Sequence, residues 1–256
     1  MKAVILAGGS SSRIDKETDS RPKPMVEIGG RPLLWHILKI YSAHGIRDFI
    51  VCCGYKGYLI KEYFANYFLH MSDVTFDMSI NRMAVHQRNA EPWRVTLVDT
   101  GEHTLTGGCL KRVSRHLEGE RSFCFTYGDN LANINAKQHL EFHQAHGKLA
   151  TILTVQPPGR FGAVDVDEIK VSGFTQKPRG DGGWINAGFF VLDSQVIDLI
   201  EDDSTALEEE PLAHLAASGE LVAYPHCGFW QQMNTLRDKN YLEEMWLTNK
   251  PPWKSW

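Results

Sequence analysis

A short apolar run, residues 2–7 (KAVILA), ends abruptly on Gly8-Gly9. Continuous apolarity without alternation marks a strand covered on both faces, as in a parallel sheet. The glycine pair then provides the turn. Residues 10–28 are polar and hold Pro22 and Pro24, which predicts a long loop. Long loops in compact domains are usually functional or disordered. A helix follows over 32–43, with Leu34, Ile37, Leu38 and Tyr41 on one face, Pro32 suited to its first turn and Gly45 to its stop. Residues 48–53 (DFIVCC) repeat the buried-strand pattern, and a further helix is expected near 57–68. Strand, loop, helix, strand, helix is the order of a parallel sheet with right-handed crossovers.

Farther along, residues 69–93 are polar and read as an irregular excursion. Strands are expected at 94–99, 121–127 and 149–156, with a helix at 136–146. The segments 162–175 and 185–192 read as shorter strands at a mixed sheet edge. Helices are expected at 194–201, 205–218 and 235–247, before an extended tail at 250–256. No repeat, low-complexity tract or linker divides the chain, so 1–256 is expected to be one domain. The expected fold class is α/β, a doubly wound, mixed but mostly parallel sheet, with a small C-terminal region attached.

Composition narrows the function classes. The chain has 256 residues, 43% hydrophobic and 23% charged, which is ordinary for a protein with a substantial core. Its net charge of -4 and scattered basic residues offer no footprint for nucleic acid. No apolar run approaches a membrane span, and the N-terminal one is too short for a signal peptide. The five cysteines, Cys52, Cys53, Cys109, Cys124 and Cys227, form no CxxC pair, so reduced thiols in a cytoplasmic protein are expected. The histidines are scattered and are assigned to surface or packing.

Three segments could carry chemistry. Leu6-Ala7-Gly8-Gly9-Ser10-Ser11-Ser12-Arg13 places glycines and an arginine after a strand. There, backbone N–H groups can cradle a phosphate and a guanidinium can fork onto it. The segment is neither GxGxxG nor a P-loop, and an ordinary βα turn remains open. In Arg21-Pro22-Lys23-Pro24-Met25 two prolines restrict the backbone around one lysine, either to aim it at a phosphate or to expose it on a loop. Tyr127-Gly128-Asp129 ends a buried strand, where α/β sheets bind ligands. Asp129 is there either a Mg²⁺ ligand or a helix cap. Pro158-Gly159-Arg160-Phe161-Gly162, Gln176-Lys177-Pro178 and Trp230-Gln231-Gln232-Met233-Asn234-Thr235 suit structural and functional roles equally.

Taken in this order, the segments resemble the sugar-1-phosphate nucleotidyltransferases, and the resemblance covers essentially the whole chain. The stretches KPMVEIGGRPLLWHILKIYSAHGI, CCGYKGYLIKEYFANYFLHMSDVTF and EPWRVTLVDTG carry it, and MSDVTF resembles the cytidylyltransferase branch. The resemblance implies a Rossmann-like fold with a small C-terminal sugar-binding and oligomerisation region. It implies transfer of a cytidylyl group from CTP to glucose 1-phosphate, giving CDP-glucose and pyrophosphate, with Mg²⁺ as cofactor. It also implies a homo-oligomer, such as a hexamer, with the 14–25 loop near a subunit boundary.

Residue by residue, it implies that Leu6, Ala7, Gly8, Gly9, Ser10, Ser11, Ser12 and Arg13 hold the nucleotide, Arg13 on the departing phosphates. Lys23 is implied at the reacting centre, and Thr104, Cys109 and Gly128 beside the cytidine. Asp129 and Asn234 are implied as Mg²⁺ ligands, Lys177 as the contact to the sugar phosphate and Asn186 to the sugar. Several positions depart from the family pattern. Ser11 and Asn130 stand for glycines, Cys109 for an arginine and Gln176 for a glutamate. Ala187 stands for a glycine and Asn234 for an aspartate. The scaffold matches while the site departs. The alternative to a working enzyme is therefore a degenerate or retuned paralogue that binds nucleotide or sugar phosphate with weak or different activity.

Overall fold

The structure, a computed structural model, describes residues 1–9, 20–157, 163–167, 170–175 and 183–256. Strand β1 (Lys2–Leu6) opens the chain, and a one-turn 3-10 helix at Lys23–Met25 leads into the two-residue strands β2 (Glu27–Ile28) and β3 (Arg31–Pro32). Helix α1 (Leu33–Ala43) follows, then β4 (Asp48–Cys53), α2 (Gly57–Ala65) and α3 (Tyr67–His70). Next come β5 (Ser72–Asp77), β6 (Arg82–Arg88), β7 (Arg94–Asp99) and α4 (Thr106–Val113). The middle of the chain forms β8 (Ser122–Tyr127), β9 (Asn130–Ala132), α5 (Ala136–His146) and β10 (Ala150–Val155). The remainder forms β11 (Ala163–Asp167), β12 (Lys170–Thr175), β13 (Ile185–Asp193), α6 (Glu210–Ala217), β14 (Leu221–His226), β15 (Trp230–Gln232) and α7 (Leu236–Leu247).

Seven strands form one sheet in the order β14-β10-β13-β8-β1-β4-β7. Every neighbouring pair is parallel except the two that involve β13. The expected doubly wound, mostly parallel sheet is therefore present. Alternate residues of β1 face opposite layers, as the pleat requires. Ala3 and Ile5 join a core with Leu34, Ile37 and Tyr41 of α1, whereas Val4 joins Leu110 and Val113 of α4 on the other face.

The structure corrects several expectations. Strand β13 lies inside the sheet rather than at its edge, with its last seven residues buried. The 162–175 segment gives the separate hairpin β11–β12. The 69–93 excursion is an antiparallel hairpin of β5 and β6, not irregular chain. The helix expected over 57–68 breaks at Asn66. The segment 194–201 forms only a 3-10 stretch over Ser194–Leu199, and the helix expected at 205–218 shortens to α6. By contrast, α5 has the expected bounds: the Asn135 side chain accepts a hydrogen bond from the Gln138 N–H at 3.1 Å, and Gly147 stops the helix at φ +66°.

The C-terminal tail is not a loose extension. Trp253 is fully buried, and its indole N–H donates to His36 Nδ1 at 3.3 Å. His36 Nε2 pairs with the Ile28 carbonyl at 2.8 Å, so the network assigns the proton to Nε2 of a neutral ring. Burial lowers this histidine to about 4. All five cysteines are free, and Cys52, Cys53, Cys109 and Cys124 are buried. No helix among the described residues is long and apolar enough to cross a membrane.

Candidate active site

A cavity of about 230 Å³ opens at the carboxyl ends of β1 and β8, where open α/β sheets place their ligands. Leu6, Ala7, Gly8 and Gly9 form one wall and Tyr127, Gly128 and Asp129 another. Lys23 and Pro24, then Thr104, Thr106 and Cys109, and finally Gln232 complete the lining.

Backbone proximity brings the first walls together. The Gly128 N–H donates to the Leu6 carbonyl at 2.8 Å. A Cβ at Gly128 would stand 2.6 Å from that oxygen and 2.7 Å from Pro24 Cγ, so only glycine lets the three segments meet. The prolines around Lys23 act through the 3-10 turn, which is closed by Met25 N–H to Pro22 O at 2.8 Å and Val26 N–H to Lys23 O at 3.0 Å. That turn buries Pro24 and directs the Lys23 side chain to the floor of the cavity.

At the floor, Lys23 Nζ lies 3.0 Å from Asp129 Oδ2 and 2.9 Å from Asn234 Oδ1. The lysine and aspartate side chains are 11% and 17% exposed, so this pair is shielded well beyond an ordinary surface bridge. Gln232 Nε2 donates to the same Asp129 Oδ2 at 3.3 Å, whereas Asp129 Oδ1 is buried without a partner among the described residues. The cap of α7 holds Asn234 in place. Thr235 and Asp238 form a capping box, and the Asn234 N–H donates to Asp238 Oδ2 at 3.0 Å. The Met233 N–H reaches the Asp129 carbonyl at 2.9 Å, which ties this segment to the end of β8.

The opposite wall is less polar. The Cys109 thiol donates to the Thr104 carbonyl at 3.5 Å, and burial pushes its pKa up. The Tyr127 hydroxyl donates to Glu208, and so does the Thr106 hydroxyl. Burial first, and the Glu208 carboxylate second, raise the pKa of Tyr127 well above the usual phenol range.

Of the residues singled out in the sequence, the structure gathers Leu6, Ala7, Gly8, Gly9, Lys23, Thr104, Cys109, Gly128, Asp129 and Asn234 around this cavity or its floor. Asn186 stands at the start of β13, outside the cavity lining, where its side-chain oxygen accepts from the Gly188 N–H at 2.7 Å. Asn130 is buried beneath the site, its side-chain oxygen without a partner among the described residues, and Ala187 is fully buried. Ser10, Ser11, Ser12, Arg13, Gln176, Lys177 and the Pro158–Gly162 loop lie outside the described residues. Sequence reasoning missed Thr106 and Glu208. The signal for Thr106 was Gly107-Gly108 directly after it. A Cβ on Gly107 would stand 2.8 Å from the Thr205 carbonyl, and one on Gly108 2.5 Å from Asp203 Cα.

The profile of the nucleotidyl transferase family matches residues 2–231. The chain belongs to that family. Among its nucleotidyl transferase relatives, glucose-1-phosphate cytidylyltransferase of Salmonella typhi is 61% identical over 256 residues, covering 100% of both chains. The enzyme with that name in Salmonella typhimurium is also 61% identical, with the same full coverage. Among solved structures, HddC from Yersinia pseudotuberculosis superposes with a TM-score of 0.71 at 23% identity, covering 96% of this chain and 99% of the other. That likeness speaks for the shared nucleotidyl transferase fold.

Proposed function

We propose that this nucleotidyl transferase transfers a cytidylyl group from CTP to glucose 1-phosphate, giving CDP-glucose and pyrophosphate. Full-length 61% identity to the Salmonella typhi enzyme of that name carries the reading. In the reaction a phosphate oxygen of glucose 1-phosphate attacks the α-phosphorus of CTP. A new P–O bond forms, the bond from the α-phosphorus to the bridging oxygen breaks, and pyrophosphate leaves. No side chain becomes covalently attached, so the protein contributes positioning and charge.

The triphosphate lies along the Leu6–Gly9 turn, with Arg13 on the departing phosphates and Lys23 at the reacting phosphorus. Lys23 offsets negative charge that develops there, and its 3-10 turn fixes the backbone from which the ammonium reaches the phosphates. Thr104, Cys109 and Gly128 border the cytidine, while Lys177 serves the sugar phosphate and Asn186 the sugar. The resemblance supports these assignments, as does the convergence of Leu6–Gly9, Lys23, Thr104, Cys109 and Gly128 on one cavity.

Asp129 and Asn234 would hold Mg²⁺. The unpartnered Asp129 Oδ1 and the Asn234 amide oxygen form an all-oxygen donor set, suited to a hard cation whose other ligands are phosphate and water. Bound there, the ion would neutralise phosphate charge. The Lys23 ammonium lies between the same two residues, and it can move to the phosphates when they arrive.

A second reading has one observation in its favour. The partner of Lys23 at position 234 is an amide and brings no charge, which weakens cation binding relative to a carboxylate pair. Pyrophosphate release in a mixture of purified protein, CTP, Mg²⁺ and glucose 1-phosphate separates the two. Turnover supports the enzyme, and nucleotide binding without turnover supports a degenerate or retuned paralogue. The assembly is a homo-oligomer in this proposal, such as a hexamer. Phe76, Met78, Ile80 and Met83, exposed along the β5–β6 hairpin, supply an apolar surface for it.

A further inference from the structure

Glu208 precedes α6 in a run of three glutamates, and nothing in the sequence separates it from a solvated helix start. The structure does separate it. One carboxylate oxygen accepts the Tyr127 hydroxyl proton and the other accepts the Thr106 hydroxyl proton. Tyr127 and Thr106 both line the cavity, so Glu208 joins two of its walls. The residue itself is exposed, which leaves its carboxylate at the rim instead of sealed in the core.

The hydrogen-bonding capacity of the Tyr127–Glu208–Thr106 cluster is one-sided. A hydroxyl has one proton to give, and both are spent on Glu208. Thr106 Oγ1 also accepts from the Leu207 N–H at 2.9 Å. Four backbone N–H groups of the neighbouring segment are engaged as well. Leu105 donates to Asp203 O at 2.9 Å, Gly107 and Gly108 donate to Thr205 O at 3.0 and 3.2 Å, and Cys109 donates to Leu105 O at 2.9 Å. The Cys109 thiol is directed at the Thr104 carbonyl. What Glu208 itself still offers beside these two lining residues is acceptor capacity, the free lone pairs of its carboxylate.

We infer that Glu208 is a specificity-determining residue, which selects a pyrimidine with an exocyclic amino group over one with a carbonyl at that position. An amino group donates to the carboxylate. A carbonyl in its place meets an acceptor and is left unpaired as water is displaced, a larger loss than one missing bond. The inference rests on the reading that the base lies against the Thr104–Cys109 segment, and it adds the residue that distinguishes cytosine from uracil there.

Calorimetric titration with CTP and with UTP in the presence of Mg²⁺, on the unaltered protein and on Glu208→Gln and Glu208→Ala, tests it. The unaltered protein prefers CTP. Glu208→Gln, whose amide can donate to a carbonyl, narrows the CTP-to-UTP affinity ratio by about tenfold, the scale of one hydrogen bond to a charged group. Tyr127→Phe, which releases one anchor of Glu208 and keeps the ring, narrows the ratio in the same direction. A purely structural role would weaken both nucleotides alike. Variants that keep the preference of the unaltered protein, whether or not overall affinity falls, overturn the assignment of Glu208. Failure of the unaltered protein to bind CTP overturns the underlying function instead.

Discussion

Lys23 and Asn234, 211 residues apart in sequence, meet at 2.9 Å, ammonium to amide oxygen. Asp129 holds the same ammonium from the other side at 3.0 Å. The cation at the floor of the cavity thus has one charged and one neutral partner.

Replacing the neutral partner by a carboxylate gives the first prediction. Asn234→Asp should tighten divalent-cation binding in the presence of CTP by about 1–3 kcal/mol, the scale of one charge-assisted contact. Mn²⁺ titration followed by electron paramagnetic resonance reads this directly. Unchanged or weaker Mn²⁺ binding would remove Asn234 from the metal assignment.

Removing the cation gives the second. Lys23→Ala should lower turnover by about 10²–10³-fold, the usual cost of deleting one donor at a centre of developing charge. The far-UV circular dichroism spectrum should stay unchanged, because the 3-10 turn is closed by backbone bonds that the substitution leaves in place. Steady-state rates near those of the unaltered protein would show that the lysine stands off the reaction path.

Much of the sheet was legible in the sequence, for a physical reason. Strands covered on both faces must be apolar throughout, and KAVIL, DFIVCC and SFCFTY satisfy that demand locally. Strand β14 escaped notice because it runs along an edge, half exposed and carrying Pro225. The hairpin β5–β6 escaped because its side chains are mostly solvated, and α4 because Thr106-Gly107-Gly108 looks like a turn. The internal place of β13 is a matter of strand order, which no local pattern encodes. Lys23 and Asp129 could be singled out from prolines and a strand end, but their meeting with Asn234 could be expected only through the family resemblance. Glu208 was invisible, since only tertiary contact distinguishes it from Glu209 and Glu210.

The third prediction concerns acid stability. Burial holds His36 at about 4 in the folded chain against 6.5 when solvated. Between those values the unfolded chain binds more protons, so stability falls as the pH drops through that window and is fully present above it. The contribution is roughly 3 kcal/mol, and His143 at about 4 and His139 at about 3 act in the same direction. Urea unfolding between pH 7 and 4 should show the decline. His36→Gln, which keeps a donor for Ile28 and an acceptor for Trp253, should flatten it. An unchanged slope in that variant would count against the neutral buried ring.

Thiol reactivity gives the fourth. Cys227 is exposed and should react within the mixing time of an aromatic disulfide reagent. Cys52, Cys53 and Cys124 should react only on unfolding, because burial raises all three, Cys53 to about 11 and Cys124 to about 12. Rapid labelling of Cys52 and Cys53 in the folded protein would contradict their place in the strand.

The most direct test of the proposed reaction is product formation from CTP, glucose 1-phosphate and Mg²⁺, with pyrophosphate and the nucleotide sugar measured in the same sample. The expected result is CDP-glucose and pyrophosphate in equal amounts, neither of them formed when glucose 1-phosphate is omitted. Nucleotide binding with no CDP-glucose formed, under conditions where the Salmonella typhi enzyme turns over, would contradict it.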